Sequence, residues 1–191
     1  MKTTLNYEEL KELDACSDGI ATFYDAHGDK TVTLSEGFKS NGWGDFWWYI
    51  SEIKDQLSSE QHRDLRLLAC DYAESVLGLF EKEYPDDDRP RKAIEVSRLY
   101  AHGNVSKKQL DAARDAASDA AWDAWDAWDA RDARDAAMDA AWAACDTWAA
   151  CAARAACDAA PAMAAPAMAA WTAAKEKLLE LLIKWEGKKE G

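Results

Sequence analysis

Nine aspartates, Asp111, Asp115, Asp119, Asp123, Asp126, Asp129, Asp132, Asp135 and Asp139, recur at a mean step of 3.5 residues. Side chains three or four apart are neighbours on a helix, roughly 5–6 Å between Cβ atoms. The run therefore lays carboxylates along one helix. Carboxylates alone supply attraction for a basic surface, with no nucleophile or proton relay beside them. The candidate partner-binding set is Asp119, Asp123, Asp126, Asp129, Asp132 and Asp135. A second constellation points to another ligand: Arg89, Arg91, Lys92 and His102 offer phosphate contacts, and Trp122, Trp125 and Trp128 offer rings on which bases stack. A third, Asp86-Asp87-Asp88, has the residue type of a metal site. Three adjacent acids ahead of a helix are better read as a cap plus solvated charge, so no metal is expected.

No glycine-rich phosphate loop, zinc-protease motif, nucleophile elbow or calcium loop occurs. His27, His62 and His102 lie in separate elements without a Cys or Ser partner. Cys16, Cys70, Cys145, Cys151 and Cys157 form no C-x-x-C, and residues six apart on a helix diverge by about 240°. They read as reduced, small packing residues. The expectation is a protein without cofactor that is not an enzyme.

The net charge of −13 and pI near 4.6 argue against direct nucleic-acid binding and against anionic membranes. The N-terminus lacks the apolar core of a signal peptide, and Asp interrupts every run that approaches membrane-spanning length. A cytoplasmic location in a bacterial or phage-infected cell is expected. Ten Trp, six Tyr and four Phe give the chain ample surface to bury.

The elements that position these residues read as helices throughout. Asn6-x-x-Glu9, Ser58-x-x-Gln61 and Ser106-x-x-Gln109 have the capping-box pattern. Leu10, Leu13, Cys16, Ile20 and Phe23 continue the first element at helical spacing to Gly28. Thr33-x-x-Glu36 caps a short helix ending near Asn41-Gly42, in preference to an extended Thr31-Val-Thr-Leu, and Asp45 caps the next. The helix opened by Ser58 is apolar on more than one face and is the expected centre, with Leu68, Tyr72, Val76 and Phe80 as core. Pro90 in a first turn and Gly103 at the far end bracket another helix, with Asp88 as its cap and ion pairs locking Asp88-Arg-Pro-Arg91.

The Ala/Asp/Trp tract then follows. A step of three lags an α-helix by about 60° per repeat, so the tract bends, breaks or changes neighbours near 122–135. Trp125 or Trp128 is expected to pack on Ala of another helix. Pro161 and Pro166 interrupt the chain before an amphipathic helix over roughly 167–185, whose Lys-rich tail suits its own negative end. The fold class is all-α: a multi-helix bundle with the long Ala-rich helix and the C-terminal amphipathic helix. Residues 1–191 form a single domain, with a helical part over 1–104 and an Ala-rich part over 105–191, because an Ala face needs another helix against it.

Asp88-Arg-Pro-Arg-Lys-Ala-Ile94, with Tyr100-Ala-His-Gly103 and the Ala tract after it and Leu10, Leu13, Cys16 and Gly19 before it, resembles a family of small phage and bacterial proteins grouped with toxin-system immunity proteins. The resemblance implies an all-helical, non-enzymatic protein that neutralises something by binding. Two classes of function follow. One is an inhibitory binding protein, immunity-like or a phage counter-defence factor, whose partner is a toxin or defence effector with a basic surface; mimicry of a nucleic acid is its variant. The other is a small-ligand sponge that sequesters a nucleotide signal. Self-association into a homo-oligomer is open.

Overall fold

The computed structural model describes residues 1–123 and 165–188. Within them the chain is helical apart from one small strand pair, so the all-α class holds. The elements are β1 (Thr4–Leu5), α1 (Tyr7–Glu12), α2 (Ser17–His27), β2 (Val32–Thr33), α3 (Leu34–Glu52), a 3-10 turn (Lys54–Gln56), α4 (Ser59–Glu83), α5 (Arg89–Ala101), α6 (Lys107–Asp123) and α7 (Ala165–Glu186). None of these helices is long and apolar enough to cross a membrane.

Side-chain caps begin the helices where the sequence places them. The Glu9 N–H donates to the Asn6 side chain at 3.0 Å. Ser58 and Gln61 exchange both hydrogen bonds of a capping box, and Ser106 and Gln109 do likewise. The first element nevertheless splits. Asp14 takes φ 56°, the Ala15 N–H reaches back to the Leu10 carbonyl, and the Asp14 N–H reaches the Lys11 carbonyl. These two bonds are the Schellman stop, built here on Asp where Gly is usual. The same geometry ends α5 on Gly103, with φ 75°. Apolar residues keep helical spacing across residues 13–16, which hid the break. Cys16 caps α2 by accepting the Gly19 N–H on Sγ at 3.4 Å, and it is exposed, so it is a cap and not a packing residue.

Thr33 serves both readings of its segment. It pairs with Thr4 in an antiparallel two-strand ladder, and it also caps α3 in a reciprocal box with Glu36. The break expected near Asn41-Gly42 lies inside α3, where Gly42 adopts φ 80°. Asp45 does not cap: it accepts a bond from Asn41 across that break.

α4 is the shared wall. Leu65 and Leu68 join the larger cluster with Phe23, Leu34, Phe46, Trp47, Ile50 and α7 residues Leu178, Leu182 and Trp185. Cys70, Ala73 and Leu77 face Ile94 of α5. Beyond them, Ala93 of α5 meets Leu110 and Ala117 of α6. Of the expected core, Leu68, Val76 and Phe80 are buried, whereas Tyr72 is half-buried.

α7 is tied down at its C-terminal end. Glu186 accepts the Ser35 N–H at 2.8 Å and the Ser35 hydroxyl at 3.0 Å, which places a carboxylate on the positive end of α3. Trp185, fully buried, donates its indole N–H to Asp64 at 3.0 Å. The lysine tail does more than complement its own helix: Lys184 pairs with Asp64 at 3.0 Å, and Lys188 pairs with Glu60. Burial opposes ionisation of Asp64, yet the Trp185 and Lys184 bonds hold its carboxyl below the usual range.

Candidate functional site

The turn between α4 and α5 is built from charge. Tyr84 ends α4, because Pro85 follows and cannot continue the helix. Pro90 then lies in the first turn of α5. The carboxylate that satisfies that turn belongs to Asp87, which accepts the Arg89 backbone N–H at 3.1 Å and the Arg89 Nε at 2.9 Å. Asp88, expected to be the cap, makes no such bond and instead pairs with Lys92 at 2.7 Å. With three consecutive aspartates a cap is ambiguous by one residue, and the turn geometry selects the middle one.

Arg89 has a second partner. Its Nη2 reaches Asp87 at 2.6 Å and Asp123, at the described end of α6, at 2.7 Å. One guanidinium thus fastens the α5 entrance to α6. The hydrogen bond from Arg89 holds the Asp87 carboxyl below the ordinary range, and Asp87 and Asp123 together raise Arg89. Arg91 is engaged in the same way, with a two-pronged bond to Glu81 at 2.6 and 2.8 Å.

The phosphate-contact candidates Arg89, Arg91 and Lys92 therefore each hold a carboxylate already. His102 closes the opposite end of α5, ten residues or about 15 Å along the axis from Lys92. The four do not converge. Trp122 is 61% exposed on α6, while Trp125 and Trp128 lie outside the described residues. Among the described residues no three His, Cys, Asp or Glu side chains group to hold a metal ion.

The aspartate stripe begins as a defined face. At 100° per residue, Asp111, Asp115, Asp119 and Asp123 fan over about 120° of α6. Leu110, Ala117, Ala120 and Ala121 are buried on the other side. Arg114 bonds Asp115 at 2.7 Å and Lys107 bonds Asp111 at 3.0 Å, so the first half of the stripe is locally neutralised. Past Asp115 no cation follows on α6, and Asp119 and Asp123 are exposed. The candidates Asp126, Asp129, Asp132 and Asp135 lie outside the described residues, as does the bend expected near 122–135 beyond Asp123.

Through Arg89 the acidic run before α5 and the stripe on α6 become one surface. Asp86, Asp88, Asp119 and Asp123 are exposed around the latch, with Trp122 beside them. Nothing in spacing alone joins the two acidic groups, whose linked residues lie 34 positions apart.

Residues 55–126, which hold α4, α5, the latch and α6, match the family described as Imm-5 like putative immunity protein. No curated protein and no solved structure matches the chain.

Proposed function

We propose that the protein is an immunity-like binder that neutralises a protein partner without turnover, using the acidic surface at the α5 entrance and the end of α6. The observation that carries the reading is the coincidence of that surface with the matched segment: exposed Asp86, Asp88, Asp119 and Asp123 lie around Arg89 inside residues 55–126. Behind Asp119 and Asp123, Ala117 and Ala120 of the same helix are buried against the bundle. An exposed Trp122 at the edge of an acidic field is the kind of aromatic anchor that dominates protein interfaces. Carboxylates around it select a basic partner and speed its arrival. A toxin or defence effector with a Lys- and Arg-rich face fits this chemistry.

A nucleotide sponge is less well supported, since Arg89, Arg91 and Lys92 would have to surrender carboxylates to take phosphate. The test is capture of a partner from bacterial lysate at low salt, repeated near ~0.5 M salt, where the Debye length falls to a few Å. A specific protein whose recovery drops with salt supports the reading. Asp119→Asn together with Asp86→Asn should weaken that capture several-fold while helicity is unchanged, because Asn is close to Asp in helix propensity. Recovery of a bound nucleotide, or undiminished capture by the double variant, overturns it.

A further inference from the structure

The N-terminal part of the molecule, outside the matched segment, contains a cavity of about 90 Å³ between the α1–α2 turn, α2 and α3. Its walls include Leu10, Phe23, Leu34 and Phe46, all buried. Its remaining lining includes Cys16, Asn41 and Asp45, which are exposed or half-exposed, so the opening lies on their side. Apolar space within a fold can accept small apolar molecules.

The polar edge selects among such molecules. Asn41 spends both amide hydrogens, one on the Gly19 carbonyl at 2.8 Å and one on Asp45 Oδ2 at 3.1 Å. Its donors are therefore committed, and it offers none to an anion. Asp45 accepts that single bond and has no Lys or Arg partner among the described residues, leaving Oδ1 for a donor that comes from outside. Gly19 keeps the opening clear: a Cβ there would lie 3.1 Å from Asp45 Oδ2 and 3.3 Å from Cys16 Sγ. An apolar chamber beneath an acceptor-only carboxylate is complementary to a molecule with an apolar body and a cationic head.

We propose that this cavity binds a small primary ammonium compound, its short aryl or branched-alkyl body among Phe23 and Phe46 and its ammonium on Asp45. The carboxylate rejects acids of the same shape by repulsion, and the chain's net charge of −13 reinforces that selection. Neutral alcohols of the same shape gain only the weaker uncharged hydrogen bond.

The test is titration of the full chain with benzylamine and isopentylamine, followed by calorimetry, alongside benzyl alcohol and benzoate. A ligand this small should bind with a Kd on the order of 1 mM, with the alcohol about tenfold weaker and benzoate without saturable binding. Asp45→Asn, which keeps an acceptor for Asn41, should weaken the amine about tenfold and leave the alcohol unchanged. Saturating amine should also slow alkylation of Cys16 at the opening while leaving buried Cys70 unaffected. Equal affinity of amine and alcohol for the natural chain overturns the proposal without any variant being needed. So does an Asp45→Asn chain that binds the amine unchanged, or an absence of saturable amine binding. None of these results depends on whether the acidic surface captures a protein.

Discussion

The two sides of α4 are stabilised by different means. Toward α3 and α7 the contact is bulky: Trp47, Phe46, Ile50, Leu178, Leu182 and Trp185 fill one cluster, and Trp43 meets Trp47 and Trp171 edge to face. Toward α5 and α6 it is small: Ala73, Ala93 and Ala117 are fully buried, with Leu77, Ile94 and Leu110 among them. A large side chain fixes both spacing and register through its shape. An alanine surface permits close approach but slides easily, so something else must set its register. On this side that role falls to charge: Arg98 to Asp71 and Glu74, Arg91 to Glu81, and Arg89 to Asp87 and Asp123. The family match, residues 55–126, takes in α4 together with the whole of this alanine side.

The largest test of this contrast is Trp185 on the aromatic side. Trp185→Ala should cost ~3–5 kcal/mol in urea denaturation, from lost volume and from the hydrogen bond withdrawn from Asp64. Trp185→Phe keeps most of the volume and should cost less, which separates packing from the indole N–H. If both variants unfold at the natural midpoint, α7 does not stabilise the fold through this residue.

On the alanine side the informative change is an addition. Ala117→Leu inserts bulk where α6 meets Ala93, and overpacking of this kind costs ~1–3 kcal/mol. A neutral or stabilising result would mean that the helices are free to part, and that ion pairs rather than close contact set their distance.

Acid should loosen both sides through the carboxylates that hold them together. Burial opposes ionisation of Asp71, but bonds from Lys177 and Arg98 hold its carboxyl below the usual range. Asp64 is held low similarly, and Asp87 is lowered by Arg89. In the unfolded chain these groups take up protons first as pH falls. Their contribution is therefore complete above the unfolded Asp range, near ~4, and is lost as pH falls through the lower folded values. Thermal midpoints should be level from roughly pH 7 to 5 and decline below about 4. Asp71→Asn should flatten that decline, and an unaltered profile would remove Asp71 from the account.

Much of this architecture was legible because helix starts are written locally. Asn6, Thr33, Ser58 and Ser106 declare themselves within four residues, and Gly103 declares an end. The break at Asp14 was not legible, because the apolar period runs through it while the backbone turns. The partners of α7 were equally hidden: Lys184 and Asp64 lie 120 positions apart, and no local pattern pairs them. The acidic surface was half legible, since the aspartates on α6 stand out by repetition while their junction with Asp86 and Asp88 depends on where Arg89 reaches. Trp125 and Trp128, together with Asp126, Asp129, Asp132 and Asp135, fall outside the described residues.

The smallest expected effect discriminates two neighbouring carboxylates at the latch. Asp87 accepts the Arg89 backbone N–H and grips its guanidinium, so Asp87→Ala removes a helix cap and one side of the bridge to Asp123. Loss of a cap costs ~0.5–2 kcal/mol, and Arg89 keeps Asp123 as a partner, which limits the damage. Asp88, exposed and paired among the described residues with Lys92 one turn away, should cost less than ~0.5 kcal/mol when changed to Ala. Urea midpoints of the two variants decide the matter. If Asp88→Ala is the more destabilising, the cap has been placed on the wrong aspartate and the junction between the acidic run and α6 loses its anchor. If the expected order holds while Asp88→Ala lowers partner capture, then one carboxylate of this pair stabilises the turn and its neighbour meets the partner, which is the division of labour that a charged register on an alanine core permits.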